Sequence, residues 1–454
     1  MKELDLTQGS VPKVLLQFAV PFLIANVLQA LYGGADLFVV GQYDDSASVA
    51  AVAIGSQVMQ TITGIILGIT TGTTVLIAIA TGAKDNRKVA FTIGSSVWLF
   101  SITGVVLTLV MVLFHSRIAE LMHTPVEAMV DTKNYILVCS LGILFIVGYN
   151  VVCGILRGLG DSKTPLYFVG LACVINIVLD FILVGYFHWG ATGAAIATVT
   201  AQGVSFGIAL WFLYRHGFHF DFSRKDIRLN RNLSKKILVL GAPIALQDAL
   251  INVSFLIITV IVNQMGVIAS ASLGVVEKII VFAMLPPMAI SSAVATMTAQ
   301  NYGAGLIKRM NKCLASGIGI ALVFGVSVCV YSQFLPETLT AFFTKDAAVV
   351  AMAADYLRGY SIDCIVVSLV FCINSYFSGQ GNSLFPMIHS LIATFLFRIP
   401  LSYWFSQIDS SSLFIMGFAP PISTVVSLLI CIWYLRYTQR KLYLRGTMMP
   451  AMSN

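Results

Sequence analysis

Residues 150–165 read Asn150-Val-Val-Cys-Gly154-Ile-Leu-Arg157-Gly-Leu-Gly160-Asp-Ser-Lys-Thr-Pro165, and an apolar run containing Asn176 and Asp180 follows. This pattern predicts an apolar helix, a glycine-rich turn that is polar because it meets water, and a second helix that begins at Pro165. Asn176 and Asp180 are four residues apart, so they share one face of that second helix. A carboxylate midway along such an apolar helix indicates a functional site.

The composition indicates a membrane protein. The chain has 454 residues, of which 58% are hydrophobic and 10% charged, and its mean hydropathy is +0.89. Soluble domains carry about 25% charged residues. Because about 20 helical residues cross a hydrocarbon core, we predict an all-α membrane protein with twelve transmembrane helices. Their predicted spans are 13–42, 47–81, 89–114, 130–156, 165–187, 191–214, 237–264, 270–300, 311–334, 349–378, 384–406 and 412–437.

Basic residues are concentrated in alternate connecting segments. With the N-terminus inside, the inner segments hold 21 of the 27 lysines and arginines, and the outer segments hold Arg117, Lys133 and Lys345. Lysine and arginine in short loops stay on the cytoplasmic side. We therefore predict a multi-pass protein of the inner (plasma) membrane with cytoplasmic N- and C-termini. Topology accounts for most of the net charge of +7, so no nucleic-acid partner is expected.

The two halves of the chain resemble each other. Three motifs recur at a nearly constant offset, and they pair Pro21 with Pro243, Ala80 with Ala299, and Pro165 with Pro386. We predict an N-terminal six-helix lobe (1–214), a basic cytoplasmic linker (215–236), a C-terminal six-helix lobe (237–437) and a cytoplasmic tail (438–454). Six helices in each half predict a parallel repeat about a pseudo-two-fold axis along the membrane normal, an arrangement typical of alternating-access transporters.

Several motifs occur together: Pro21 with Asp36 fifteen residues later, the turn 157–165, the Asn176/Asp180 pair and the turn 300–305. In combination they resemble the multidrug and toxic compound extrusion (MATE) family over essentially the whole chain, and its DinF-like branch more than its NorM-like branch. The resemblance implies a secondary active antiporter that rocks between two states. Such a protein exports amphipathic, cationic organic compounds in exchange for inward H+ or Na+.

Polar residues of the first half are consistent with that chemistry. Gln29, Tyr32 and Asp36 are spaced three and four apart, so they form one stripe on the first helix. Pro21 removes a backbone hydrogen bond, so the first helix can bend beside Asp36. Burial in hydrocarbon favours the protonated form of a carboxyl, which can then take up a proton outside and release it inside.

The resemblance also implies residue roles. Asp36, Asn176 and Asp180 match the proton or sodium site of the DinF-like branch, with Thr198 and Asn150 as lesser members, and Pro21 matches the proline at which the first helix bends. The structural alternative is that the two carboxylates only bind neighbouring backbone groups or pair with a buried cation.

The second half offers a less regular set of polar residues: Asp248, Glu277, Lys278 and Asp363. Adjacent residues on a helix point in different directions, so Glu277 and Lys278 cannot pair with each other. Lys278 could instead pair with Asp248 or Asp363, and a structural ion pair and a substrate-binding role are equally expected. Met284 and Met288 could accommodate varied apolar ligands, although core packing is the more ordinary role of such residues.

Other function classes fit the sequence less well. A lipid-linked oligosaccharide flippase of the same superfamily is the alternative, but its cleft should be rich in basic residues, and only Lys278, Arg358 and Arg398 are candidates. An enzyme would need a catalytic constellation and a channel a filter, and neither pattern occurs. No metal site and no cofactor beyond the coupling ion are expected. The expected partners are a small organic substrate and the lipid bilayer, and the expected state is a monomer.

Overall fold

A computed structural model describes residues 4–408 and 412–447 of the chain. All regular elements within these residues are helical, which confirms the predicted fold class. The α-helices are α1 (Val11–Tyr43), α2 (Ser46–Gly82), α3 (Asn86–Leu121), α4 (Met129–Leu141), α5 (Ile143–Leu159), α6 (Lys163–Asp180), α7 (Gly190–His216), α8 (Arg231–Asn263), α9 (Val267–Gly303), α10 (Ile307–Phe334), α11 (Pro336–Thr340), α12 (Ala347–Gly379), α13 (Leu384–Ile392), α14 (Ile399–Ile408) and α15 (Ala419–Thr447). Short 3-10 turns cover Val126–Ala128, Arg224–Asp226 and Met416–Phe418, and π-helical turns cover Phe181–Tyr186 and Ala393–Arg398.

The number of membrane-spanning helices agrees with the sequence. Among the described residues, 11 helical spans are long and apolar enough to cross a bilayer, and there are 12 if the bent pair Val126–Leu141 and Ile143–Leu159 counts as one span. The predicted span 130–156 is thus not one straight helix, since its two parts meet at 48°. The break falls at Gly142, where a Cβ atom would lie 2.6 Å from a methyl carbon of Val199.

Two compact units appear in the fold. The first comprises Met1–Ala249, Ser292–Cys313 and Ser378–Ser383, and the second comprises Leu250–Ser291, Leu314–Phe377 and Leu384–Asn454. These boundaries differ from those of the sequence halves, so the division into two lobes and a linker stays a prediction. All eight cysteines are buried and free.

The turn after α5 is buried, which corrects the prediction that its polarity reflects contact with water. Asp161 and Ser162 are only 3% and 5% exposed. The Asp161 carboxylate accepts hydrogen bonds from the backbone N–H groups of Lys163 and Thr164, each at 3.0 Å. These bonds satisfy two orphan donors at the start of α6, so the helix begins at Lys163 and Pro165 lies within its first turn. Gly160 has a φ of +99°, which favours glycine.

Close helix packing in the first unit depends on two glycines of α2. A Cβ atom on Gly68 would lie 2.6 Å from the Cα of Ala245, and one on Gly72 would overlap the Ile237 carbonyl on α8. Gly68 and Gly72, which are spaced as in a GxxxG motif, therefore allow close helix contact. A Cβ atom on Gly64 would meet nothing within 4 Å, so Gly64 takes no part in that contact.

The N-terminal segment is also held within the first unit. Arg309 donates hydrogen bonds to the carbonyls of Leu6, Gln8 and Gly9, and Asn301 donates to the Leu6 carbonyl at 3.1 Å. Leu6 is fully buried. Charge-assisted bonds to these three carbonyl groups hold a segment for which the sequence pattern predicts no regular structure.

Candidate functional site

A polar cluster lies inside the first unit, where α1, α6 and α7 pack together. Asn176 on α6 donates to the hydroxyl of Thr198 on α7 at 3.3 Å, and that hydroxyl donates to Oδ2 of Asp36 on α1 at 3.1 Å. Asp180 follows Asn176 by one turn, and its carboxyl group lies within hydrogen-bonding reach of the Asp36 carboxyl group. Asp36 is 4% exposed, and Asn176 and Asp180 are fully buried.

Oxygen atoms outnumber donors in this cluster. Among the described residues, Oδ1 of Asp36, both carboxyl oxygens of Asp180 and Oδ1 of Asn176 are buried without a hydrogen-bond donor. Two ionised carboxylates can only accept hydrogen bonds, so a bond between Asp36 and Asp180 requires that one of them carries a proton. Burying two adjacent negative charges without a counter-ion is too costly, so the cluster needs a proton or a bound cation.

The backbone around Asp180 is irregular. Asp180 is the last residue of α6, and the π-helical turn Phe181–Tyr186 follows it directly. A π turn replaces i→i+4 by i→i+5 hydrogen bonds and often occurs at functional sites. Asp180 is fully buried, while Phe181 and Ile182, which begin the π turn, are exposed.

Other residues predicted for this site are placed differently. Tyr32 is joined to the cluster's surroundings by Gln202, whose amide nitrogen lies 3.5 Å from the Tyr32 hydroxyl. Gln29 is exposed on α1, one turn before Tyr32. Asn150 is buried, but its side-chain amide donates to the Ile146 carbonyl on its own helix at 2.7 Å. The structure therefore brings Asp36, Asn176, Asp180 and Thr198 together and gives Asn150 a local backbone partner.

Sequence reasoning missed Gln202. It is 8% exposed, and its carbonyl oxygen is buried without a donor among the described residues. Its spacing of four residues from Thr198 on α7 places both side chains on one helix face. That spacing was the available signal, because a polar pair at i and i+4 in a helix rich in alanine and glycine marks a polar face.

The polar residues of the second unit form a separate group. Arg398, the last residue of the second π turn, lies with its guanidinium carbon 4.3 Å from the centre of the Phe255 ring. Asp363 on α12 is 5% exposed and interacts electrostatically with Arg398. Oδ1 of Asp363 and Nε of Arg398 are both buried without partners in the described part of the chain.

The role of Lys278, for which an ion pair and substrate binding are equally expected, stays a prediction. The ion pairs within the described residues join Arg117 and Lys133 to Glu120, and Arg358 to Glu337 and Asp355. Lys278 is exposed on α9, as is Asp248 on α8, whereas Glu277 is half-buried.

The two methionines of α9 have different surroundings. Met284 is 9% exposed and belongs to the apolar core of the second unit, so it serves packing. Met288 is 47% exposed. Of the two methionines, only Met288 could therefore contact an apolar ligand.

A buried histidine was not anticipated. His389 on α13 is 1% exposed, and its Nδ1 lies 2.8 Å from the Ser427 hydroxyl, while its Nε2 lies 2.8 Å from Oδ1 of Asn374. The amide oxygen accepts, so Nε2 carries the proton in the neutral ring. Cys431 is a weaker partner at 3.4 Å. Within the described residues no group of three or more His, Cys, Asp or Glu side chains could hold a metal ion.

Comparison with known proteins gives consistent results. The MatE family model matches residues 21–182 and 243–404, two segments of equal length that fall one in each half of the predicted repeat. The chain is 29% identical over 407 residues to the "Probable multidrug resistance protein YpnP" of Bacillus subtilis (strain 168), covering 89% of this chain and 91% of that protein.

A second relative is the "Multidrug export protein MepA" of Staphylococcus aureus (strain NCTC 8325 / PS 47), which is 26% identical over 378 residues. The alignment covers 82% of this chain and 82% of that protein. Among solved structures, the "Crystal structure of MATE in complex with MaL6" superimposes with a TM-score of 0.91 at 23% identity. That superposition covers 97% of this chain and 99% of the other. At this identity the likeness establishes a shared fold.

Proposed function

Because the chain belongs to the MatE family of membrane transporters, we propose that it exports amphipathic, cationic organic compounds in exchange for inward H+ or Na+. The names of its relatives support export of drugs, since YpnP and MepA are described as a multidrug resistance and a multidrug export protein. The observation that carries the coupling mechanism is the surplus of buried oxygen atoms between Asp36 and Asp180.

The proposed coupling step follows from that surplus. A proton shared by the two carboxyl groups satisfies oxygens that otherwise lack a donor, so the cluster is stable when protonated. Loss of the proton leaves two buried negative charges side by side, which drives rearrangement of α1, α6 and α7. Protonation and conformation are then linked, as an antiporter requires.

Na+ is the other candidate for the same position. The two carboxyl groups, the Asn176 amide oxygen and the Thr198 hydroxyl are all oxygen ligands, which hard cations prefer. The side-chain set Asp36, Asn176, Asp180 and Thr198 is the pattern of the DinF-like branch, to which we assign the chain. We also propose that the protein works as a monomer in the plasma membrane and that its two lobes rock to give alternating access.

The oligosaccharide flippase is less well supported. It would need several basic side chains to bind a pyrophosphate group. Of the three candidates, Arg358 is paired with Glu337 at 2.7 Å and Arg398 is stacked on Phe255. Only Lys278 remains exposed for such a role.

The test is transport by the purified protein in liposomes. A proton gradient and a sodium gradient are imposed separately, while a fluorescent organic cation and the internal pH are followed together. We expect uphill movement of the cation with a counterflow of protons when only the pH gradient is present. Uphill movement driven by sodium alone would assign the cluster to Na+, and no movement under either gradient would refute antiport.

A further inference from the structure

The linker between the sequence halves is held against α3. The indole Nε1 of Trp98 donates to the Ile227 carbonyl at 3.1 Å. One turn earlier, Gly94 leaves room for the Asp226 carbonyl, which a Cβ atom at that position would overlap. Phe218, which stacks on Phe220 at 5.2 Å, packs with it against the core of the first unit. The linker backbone is thus held against α3 at Asp226 and Ile227.

This docking places two arginines over one aromatic ring. The guanidinium carbon of Arg228, from the linker, lies 5.1 Å from the centre of the Phe91 ring, and that of Arg87, from the first turn of α3, lies 5.9 Å from it. Both arginines are exposed. Cation–π contacts orient the guanidinium groups. Because both lie within 6 Å of one ring centre, the two like charges repel each other, and a nearby anion reduces that repulsion.

No acidic side chain within the described residues forms an ion pair with Arg87 or Arg228. The nearest carboxylate on the linker, Asp226, accepts hydrogen bonds from the backbone N–H and the hydroxyl of Ser223 at 2.8 and 3.0 Å. Those hydrogen bonds from Ser223 lower the pKa of Asp226, with smaller contributions from the two arginines. Asp226 therefore offsets part of the positive charge at neutral pH but leaves the planar donors of both guanidinium groups available.

The same face of α3 continues into an exposed apolar stripe. Trp98 is 45% exposed and lies two helical turns after Phe91, on the same side of the helix. Exposed apolar residues follow it at helical spacing: Ile102, Val105, Val106, Leu109 and Leu113. In a membrane-spanning helix such a stripe contacts acyl chains, and tryptophan is enriched where the acyl region ends. The two arginines lie beyond Trp98, at the depth of lipid headgroups.

We propose that Arg87 and Arg228 bind the phosphate of an anionic phospholipid, whose acyl chains lie along the α3 stripe from Trp98 to Leu113. Guanidinium groups bind phosphate oxygens through paired N–H donors, and stacking on Phe91 reduces the cost of fixing them. An anionic lipid is favoured over a zwitterionic one because the two arginines carry more positive charge than Asp226 offsets. The bound lipid in turn holds the linker against α3.

Trp98 is a natural reporter for this site. In a variant with Trp189, Trp211, Trp404 and Trp433 replaced by phenylalanine, the full-length protein is reconstituted in phosphatidylcholine vesicles. A constant minority of the lipid is either brominated phosphatidylglycerol or brominated phosphatidylcholine, and quenching of Trp98 fluorescence is measured. We expect preferential quenching by brominated phosphatidylglycerol, corresponding to about thirtyfold tighter association, as two basic contacts at a membrane surface provide.

Paired substitutions locate the effect. Arg87→Gln with Arg228→Gln should remove the preference, while Lys308→Gln with Lys312→Gln removes two basic charges elsewhere and should leave it intact. Arg87→Lys with Arg228→Lys should keep the charge but weaken the preference, because lysine lacks the planar donor pair. Each variant is first shown to reconstitute as a monodisperse protein, so that misfolding is not mistaken for loss of the site.

Three results would overturn the proposal. Equal quenching by the two brominated lipids in the starting protein would show that no headgroup is selected. If the variant with Lys308→Gln and Lys312→Gln also lost the preference for phosphatidylglycerol, the cause would be general attraction between basic residues and anionic lipid rather than a specific site. The third result is that inorganic phosphate abolishes the preference for phosphatidylglycerol while chloride at equal ionic strength does not. This would show that the arginines bind a free anion.

Discussion

Replacing Asp180 by asparagine tests the proposed coupling site directly. Asparagine keeps the size of a protonated aspartate but cannot release a proton. Its amide group can donate to Oδ1 of Asp36, a buried oxygen that now has no donor. The Asp180→Asn protein should therefore fold, with a stability within about 1–1.5 kcal/mol of the original, since that is the net worth of one buried hydrogen bond.

The expected functional loss is larger and can be calculated. One proton exchanged per substrate across a gradient of one pH unit supplies about 1.36 kcal/mol, which supports a substrate ratio of about tenfold. The shared proton between Asp36 and Asp180 is the exchangeable one in our proposal, so Asp180→Asn should reduce this ratio to one. Substrate binding should persist. Asp36→Asn should retain weak activity, because Asp36 already has a donor in Thr198 and Asp180 remains ionisable.

The assay is accumulation of a fluorescent cation in liposomes under an imposed pH gradient, with binding measured separately in detergent. Asp248→Asn and Asp363→Asn are the matched controls, because each removes one carboxylate from the second half of the sequence. Normal accumulation by Asp180→Asn together with an inactive control would place the coupling site in the second half of the chain, and our assignment would be wrong.

Three further predictions concern helix mechanics and topology. Pro21→Ala should slow transport by about tenfold without loss of substrate binding, because a restored backbone hydrogen bond stiffens α1. A barrier increase of about 1.4 kcal/mol gives that factor. A normal transport rate would exclude bending of α1 from the cycle. Gly68→Ala should destabilise the protein by about 1–3 kcal/mol in thermal unfolding, because a methyl group there meets the backbone of Ala245. Gly64→Ala should not, because a methyl group at Gly64 meets open space. Equal effects of the two substitutions would refute the packing argument. Lys225→Cys in a cysteine-free protein should react with an impermeant maleimide only in inverted vesicles, and labelling of intact cells would reverse the predicted orientation.

Much of the fold was predictable because the bilayer imposes simple rules. Helix number followed from hydropathy, and the buried pair Asn176 and Asp180 followed from spacing in an apolar segment. Asp36 was predictable for the same reason. Asp36 and Thr198 lie far apart in the chain, so their contact was expected only from the family resemblance.

The remaining features depend on tertiary packing, which a single sequence does not encode locally. His389 lies in an apolar segment with no polar residue at helical spacing that explains it; its partners Asn374 and Ser427 come from α12 and α15. The buried turn at Asp161 looked solvent-exposed because its residues are those of an ordinary surface turn. The partner of Asn150 was not predictable either, because a buried amide can bond its own helix, as it does here, or another one.

The two halves share backbone features yet differ in the groups that they place there. Gly160 and Gly381 both have positive φ at corresponding turns, and each turn is followed by a helix that contains a π turn. The first π turn begins at Phe181, well beyond Gly160, whereas the second begins at Ala393, much closer to Gly381. The π turns of the two halves therefore lie at different distances from the corresponding glycine turns. A carboxyl precedes the first π turn and an arginine ends the second, so only the first half combines adjacent carboxyls with unsatisfied oxygens among the residues that the structure describes. That asymmetry is the physical reason to expect ion coupling in the N-terminal half.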